Sequence, residues 1–97
     1  MSPHIGIVLL FGDDPLQFDV TVRDATGATR HHISLNRHDL ARLGAGADAE
    51  AVIVAAFRFL LDREPKEAIL ASFDLTAIGR YFPEFETTFP AYLDGKT

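Results

Sequence analysis

The stretch from residue 49 to residue 63, AEAVIVAAFRFLLDR, decides the fold of this chain. Read as an α-helix at about 100° per residue, it has apolar side chains over well over half of its circumference. The centre of that apolar face is formed by Ile53, Ala56, Phe57 and Leu60. Only a narrow stripe with Arg58 and Asp62 suits water. Because a helix that is apolar nearly all round is buried on several sides, the pattern predicts the central helix of the domain or half of an interface.

The two margins of this apolar face need separate partners. Val52 and Phe59 lie on one margin, and Val54 and Leu61 lie on the other. We expect residues 65–94 to shield one margin. The other margin then needs the apolar N-terminal segment, a partner protein or a second copy of the chain. A two-fold dimer is the commonest closed arrangement, so we predict a homodimer whose interface includes either Val54 and Leu61 or residues 5–11.

Upstream of the helix, apolar and polar residues alternate with the period of a half-buried strand at residues 18–22 and 31–35. Turn-forming residues at 24–28 separate the two segments, so we predict a β-hairpin over residues 17–35 with a loop of about five residues. The apolar residues 5–11 either add a third strand or belong to a loosely ordered extension within residues 1–16.

Downstream, capping residues and prolines divide the chain into helices. Asn36 suits the N-cap of a short helix that ends at Gly44, and Asp48 suits the N-cap of the central helix. Pro65 ends the central helix and opens another through about residue 71. Asp74 caps a further short helix over residues 75–82. The chain is therefore predicted to form one α+β domain over residues 1–97, with an antiparallel two- or three-stranded sheet followed by three or four helices packed on one face.

Aromatic residues recur at helical spacing near the C-terminal end. They are Phe82, Phe85, Phe89 and Tyr92. Pro90 argues against one unbroken helix through all four. These side chains either close the core from the C-terminal side or form an exposed patch for docking. Together with Val54 and Leu61, Phe85, Phe89 and Tyr92 are the candidate interaction residues.

Composition limits the classes of partner. The net charge is −5, lysine occurs only at positions 66 and 96, and there is no cysteine. These facts argue against phosphate-rich partners and polybasic membrane binding, and they exclude disulfides and cysteine metal sites. The apolar run at residues 5–11 lacks a basic leader and is too short to cross a bilayer. We expect a cytoplasmic protein.

Metal binding and catalysis are not indicated. Of the four histidines, His31 and His32 are neighbours on a strand and point to opposite faces, so at most one of them can join His38 in a site. The fourth, His4, completes no zinc spacing. No serine lies in a nucleophile elbow, and no glycine-rich phosphate loop is present. We expect no metal, no cofactor and no enzymatic activity.

A carboxylate pair of the catalytic kind is not indicated either. Glu84 and Glu86 flank Phe85, and Asp13 is adjacent to Asp14. Paired carboxylates do acid–base work when their environments separate their pKa values. Both pairs lie beside turn residues, so we expect them to be solvated.

Residues 65–82 also fit a helix–turn–helix pattern. The only basic residue of the helix that would read DNA is Arg80, and residues 64–97 contain three basic against six acidic residues. Because neutralisation of phosphates supplies most of the non-specific affinity for DNA, we expect no nucleic-acid binding.

Two blocks, FRFLLDREPKEAIL at residues 57–70 and FDLTAIGRYFPEFE at residues 73–86, resemble small bacterial proteins of uncharacterised function. In these proteins a β-hairpin precedes an apolar helix and an FDL…YFPEF ending. The resemblance covers residues 17–94 and implies no activity.

The sequence therefore predicts a non-catalytic protein-interaction or regulatory domain. The alternative is a small-molecule-binding or catalytic domain, with a pocket between the sheet and the aromatic C-terminal segment.

Overall fold

A four-stranded mixed sheet forms one layer of the computed structural model, which describes residues 3–94. Its strands are β1 (His4–Phe11), β2 (Leu16–Asp24), β3 (Gly27–Leu35) and β4 (Ser72–Asp74), in that order across the sheet. β1, β2 and β3 are antiparallel neighbours, and β4 pairs in parallel with β3. The predicted α+β class and the third strand are confirmed. The prediction of two or three strands was wrong, because β4 adds a fourth.

The β2–β3 hairpin is tighter than predicted. Pairing continues from Leu16↔Leu35 to Asp24↔Gly27, so the turn contains only Ala25 and Thr26 rather than about five residues. The carboxylate of Asp24 accepts hydrogen bonds from the backbone N–H and the hydroxyl of Thr26, at 2.9 and 2.7 Å. Gly27 has φ 136°, a conformation that suits glycine. These local bonds close the turn and extend the ladder.

Four α-helices accompany the sheet: α1 (Arg37–Gly44), α2 (Ala49–Leu61), α3 (Ile78–Tyr81) and α4 (Phe85–Leu93). The predicted caps are confirmed. Asn36 Oδ1 accepts from the N–H of Asp39 at 2.7 Å, and Asp48 Oδ1 accepts from the N–H of Ala51 at 2.9 Å. Each cap satisfies a backbone donor that has no partner within the first turn of its helix.

The core lies between the sheet and α2, as the apolar pattern of the helix predicts. Ile53 and Phe57 are 0% exposed and Leu60 is 3% exposed. They join one cluster with the inward side chains of β2 and β3, which include Val20 and Ile33. Alternate residues of these two strands are buried, so one sheet face packs against the helix while the other meets solvent.

Residues 65–82 depart most from the prediction. The helix expected through about residue 71 is only a three-residue 3₁₀ turn (Lys66–Ala68), after which the chain is extended and enters β4. The cause is a pair of long-range hydrogen bonds. The His31 ring bonds the carbonyl of Leu70 at 2.8 Å, and the N–H of His32 donates to the carbonyl of Ala71 at 2.8 Å. Residues 75–82 form a second 3₁₀ turn (Leu75–Ala77) followed by α3, so the pattern is not a helix–turn–helix.

As predicted, no single helix runs through all four aromatic residues, because Phe82 lies outside α4; the break does not fall at Pro90, however. α4 continues from Phe85 through Pro90 to Leu93 without a break. The helical pattern resumes beyond the proline, because the N–H of Asp94 donates to the carbonyl of Pro90 at 3.1 Å. Phe85 and Phe89 are each 1% exposed, so burial of this face against α2 offsets the lost hydrogen bond.

Candidate functional site

The outer edge of β1 exposes four consecutive large apolar residues. Val8, Leu9, Leu10 and Phe11 are 59%, 51%, 40% and 58% exposed. Leu9 lies opposite Phe18, which places it on the helix-packed face of the sheet, whereas Val8 lies opposite Asp19 on the outer face. We call residues 8–11 the β1 edge. It presents apolar side chains on both faces, together with the backbone groups that β2 does not pair.

The β1 edge lacks most of the features that keep edge strands apart. Soluble proteins guard such strands with lysine, proline, inward charges, bulges or short length. β1 is eight residues long and contains no charged residue and no proline. Its one irregularity is a register shift between Leu9 and Phe11. The opposite edge strand, β4, is only three residues long and includes Asp74, so β1 is the edge that is open to pairing.

An apolar groove opens at the opposite edge of the sheet from β1, beside β4. Its volume is about 310 Å³. The inner wall is lined by Leu60, Ile69, Ile78, Phe73 and Phe82. Leu70 and Tyr81, which are 49% and 66% exposed, lie at its rim, and Ala68, Ala77 and Glu64 complete the lining. The groove is therefore an apolar depression with one charged side chain, between the sheet and the aromatic C-terminal region.

Glu64 forms no ion pair among residues 3–94, and the two basic residues nearest to it in sequence, Arg63 and Lys66, are bonded to other acids. The guanidinium of Arg63 lies 3.6 Å from the centroid of the Phe59 ring and donates to Glu84 at 3.0 Å, which lowers the pKa of Glu84. Lys66 is bonded to Asp24 at 2.8 Å. Glu64 is therefore the one acidic residue in the described lining of the groove, and it has no ion-pair partner among residues 3–94.

Lys66 is a structural residue of the hairpin. Its side chain is 2% exposed, and Nζ contacts Asp24, the Thr26 hydroxyl at 2.7 Å and Glu67 at 2.5 Å. The hydrogen bond from Lys66 is the main cause that lowers the pKa of Asp24 to about 2, and the bonds from Thr26 add to it. A buried ammonium needs such partners, so this cluster fastens the 3₁₀ turn to the β2–β3 turn.

The histidines have separate partners. His31 is 3% exposed; its Nδ1 donates to the carbonyl of Leu70 at 2.8 Å, and its Nε2 accepts from the hydroxyl of Thr29 at 2.8 Å. His32 lies on the outer face of the sheet and bonds Gln17 at 2.9 Å. Within residues 3–94, no three histidine, cysteine or acidic side chains are placed to hold a metal ion together.

The serine and carboxylate candidates are also paired locally. Ser34 donates to Asp74 at 2.9 Å, across the β3–β4 ladder. Glu84 pairs with Arg63, and Glu86 pairs with Arg42 of α1. The two glutamates thus bind different arginines and form no acid–base dyad.

The predicted interaction residues fall into different environments. Phe85 and Phe89 are core residues, which corrects their inclusion in a surface and agrees with the core-closing interpretation. Tyr92 is half-buried, and its hydroxyl donates to Asp62 at 2.5 Å.

Val54 and Leu61 remain half-buried and line an opening of about 590 Å³ beside the start of β1. Pro3 and Ile5 line the same opening, so the N-terminal segment reaches this margin of α2. The opposite margin, with Val52 and Phe59, is fully buried. The sequence of α2 predicted more apolar surface than one chain was expected to cover. Most of that surface is shielded within the chain, and an exposed apolar surface lies at the β1 edge instead.

Sequence reasoning gave a pocket between the sheet and the aromatic C-terminal segment only as its alternative, and it did not name the residues that line the groove. Its lining comes from α2, the first 3₁₀ turn, β4 and the α3 region, which only the fold brings together.

In comparisons with known proteins, no protein-family model, curated protein or solved structure matches the chain. No helix within residues 3–94 has the length and apolar character needed to span a membrane.

Proposed function

We propose that this chain is a non-catalytic protein-interaction domain that pairs with a second copy of itself through the β1 edge. The observation that supports this is the run of four exposed apolar residues on an edge strand that has one register shift but no charged residue and no proline. The absence of cysteine and the net charge of −5 fit a role in the cytoplasm without a nucleic-acid partner.

A second copy suits the β1 edge because antiparallel pairing of identical strands is self-complementary. A two-fold axis across β1 sets apolar residues of one chain against apolar residues of the other, on both faces of the joined sheet. No like charges meet, since residues 4–11 include no acidic or basic side chain other than His4. The backbone N–H and C=O groups on the outer side of β1 gain partners at the same time.

The expected affinity follows from the exposed side chains. Covering a side chain that is about half exposed stabilises the dimer by about 1 kcal/mol, since full burial is worth about 1.5–3 kcal/mol. Eight such side chains per dimer, with added backbone hydrogen bonds, compete with an association cost of roughly 4–15 kcal/mol. Eight side chains and about four backbone hydrogen bonds at about 1 kcal/mol each contribute about 12 kcal/mol in total. With an association cost near its lower limit of about 4 kcal/mol, about 8 kcal/mol remains, so we expect a dissociation constant in the micromolar range.

Sedimentation equilibrium tests the proposal. Over a series of micromolar concentrations, the mass should rise from 10.7 kDa toward twice that value. Val8→Lys should keep the protein monomeric, because it places a charge on the edge at a side chain that is already 59% exposed. Ala41→Lys is the matched control, since it adds the same charge on an exposed residue of α1. A wild-type protein that stays monomeric at high micromolar concentration contradicts the proposal.

Cysteine cross-linking gives a second test, because the chain has no cysteine of its own. In an antiparallel pair, each step away from the two-fold axis separates a residue from its copy by about 7 Å. A disulfide needs Cα atoms within roughly 7 Å. A scan with single cysteines at residues 7–10 should therefore cross-link at one or two adjacent positions. Equal cross-linking at all positions and at Ala41→Cys would indicate random collision instead.

A further inference from the structure

We propose that the groove beside β4 is a binding site for small organic ammonium ions that carry an apolar body. The groove combines an apolar inner wall with a single carboxylate, Glu64, and an aromatic ring, Tyr81, at the rim. This site lies apart from the β1 edge and does not depend on pairing of two chains.

The inner wall is suited to an apolar ligand because its side chains are held in place. Leu60 and Ile78 are each 3% exposed, and Ile69 is 6% exposed. Phe73 packs against Phe57 at 6.2 Å between ring centroids, and Phe82 packs against Phe59 at 5.8 Å. A preformed wall of this kind costs little to order on binding. At roughly 30 Å³ for a water-sized group, the volume of about 310 Å³ accommodates about ten heavy atoms.

The charge of the ligand follows from Glu64. Among residues 3–94 no cation pairs with it, since Arg63 is held by Glu84 and Lys66 by Asp24. A carboxylate beside apolar walls attracts an ammonium more strongly than it does in bulk water. Tyr81, which is 66% exposed at the rim, is an aromatic side chain of the kind that attracts cations. An anionic ligand such as a fatty acid would meet repulsion from Glu64, and no basic residue is among the described lining residues.

The test compares three probes of the same shape: 3-phenylpropylamine, 3-phenylpropan-1-ol and 3-phenylpropanoate. Their affinities are measured by NMR titration of the backbone amides, which also locates the site. We expect the amine to bind about fivefold more tightly than the alcohol, which corresponds to about 1 kcal/mol. The carboxylate should bind most weakly, and the shifted amides should lie in the 3₁₀ turns, β4 and α3.

Two variants assign the preference to Glu64. Glu64→Gln keeps the size of the side chain and should reduce the affinity for the amine to that for the alcohol. Glu50→Gln removes one exposed carboxylate from the first turn of α2 and should leave the amine preference unchanged. The proposal is overturned if none of the probes shifts the groove amides. It is also overturned if the alcohol and the amine bind equally to the wild-type protein, or if Glu64→Gln retains the preference.

Discussion

Replacement of Phe59 by alanine is the sharpest test of how α2 holds the C-terminal helices. Phe59 is 0% exposed, and three aromatic rings meet it edge-on. The ring centroids of Phe82, Phe85 and Tyr92 lie at 5.8, 4.9 and 5.7 Å. The Arg63 guanidinium covers its face at 3.6 Å. Phe59→Ala therefore empties a site that is enclosed on all sides by one chain.

The magnitude follows from this enclosure. Phenylalanine-to-alanine changes in a core cost about 3–5 kcal/mol, and edge-to-face pairs add about 0.5–1.5 kcal/mol beyond burial. We expect the upper end, about 4–5 kcal/mol. Leu60 is also buried, but it lines the groove, so the space left by Leu60→Ala opens to solvent. For that reason we expect the low end of the leucine range, about 2–3 kcal/mol.

Urea unfolding followed by circular dichroism measures both free energies. A chain of this length is stabilised by roughly 5–15 kcal/mol in total, so Phe59→Ala can leave little folded protein. Phe59→Leu is the control for that case, since it keeps an apolar side chain and should cost about 1–2 kcal/mol. A loss below 2 kcal/mol for Phe59→Ala, or a larger loss for Leu60→Ala than for Phe59→Ala, refutes the reasoning. A loss below about 1 kcal/mol for Leu60→Ala removes α2 as the central helix of the core.

Three further predictions concern single contacts. Lys66 lowers the pKa of Asp24 from its ordinary value of 3.8 to about 2. The ionised carboxylate of Asp24 therefore stabilises the fold fully above pH 3.8, and this stabilisation is lost as the pH falls through 2. Asp24→Asn should therefore make the free energy of unfolding fall less steeply between pH 4 and pH 2, as measured by urea titrations. Gly44→Ala should lower the melting temperature, because the added Cβ lies 2.9 Å from a methyl group of Val52. Tyr92→Phe should cost about 1 kcal/mol in urea unfolding, since it removes a hydroxyl that donates to Asp62, the C-cap residue of α2.

Local signals predicted the parts of the fold whose partners are near in sequence. Asn36 and Asp48 bond the backbone three residues ahead, and the β2–β3 hairpin closes through neighbours. Residues 65–71 have good helix formers, yet they form a 3₁₀ turn and lead into β4. The His31–Leu70 bond that draws this segment to β3 spans 39 residues. Helix propensity depends on residues that are close in sequence, so it cannot predict a bond to a residue this far away in the chain.

The same distinction between local and long-range determinants applies to the candidate sites. The apolar run at residues 5–11 fits either a strand or a loosely ordered extension, and apolar residues on both faces do not tell which of them a neighbour covers. In the structure Ile5 and Ile7 pack against the core, whereas residues 8–11 are exposed. The helical spacing of Phe85 and Phe89 fits both a core and a surface, and only the position of α4 against α2 decides for the core. The groove depends on four separated segments, so no single motif predicts it.

The strand order places the two proposed sites at opposite ends of the sheet. β1 is the first strand and β4 the last, and three spacings of about 4.8 Å put them roughly 14 Å apart. Two chains joined at β1 would form an eight-stranded sheet with β4 at each outer end, so both grooves would face away from the dimer interface. Dimerisation and amine binding should then be energetically independent. The amine titration should give the same affinity for Val8→Lys as for the wild type, whereas an altered affinity would mean that the groove and the β1 edge are coupled.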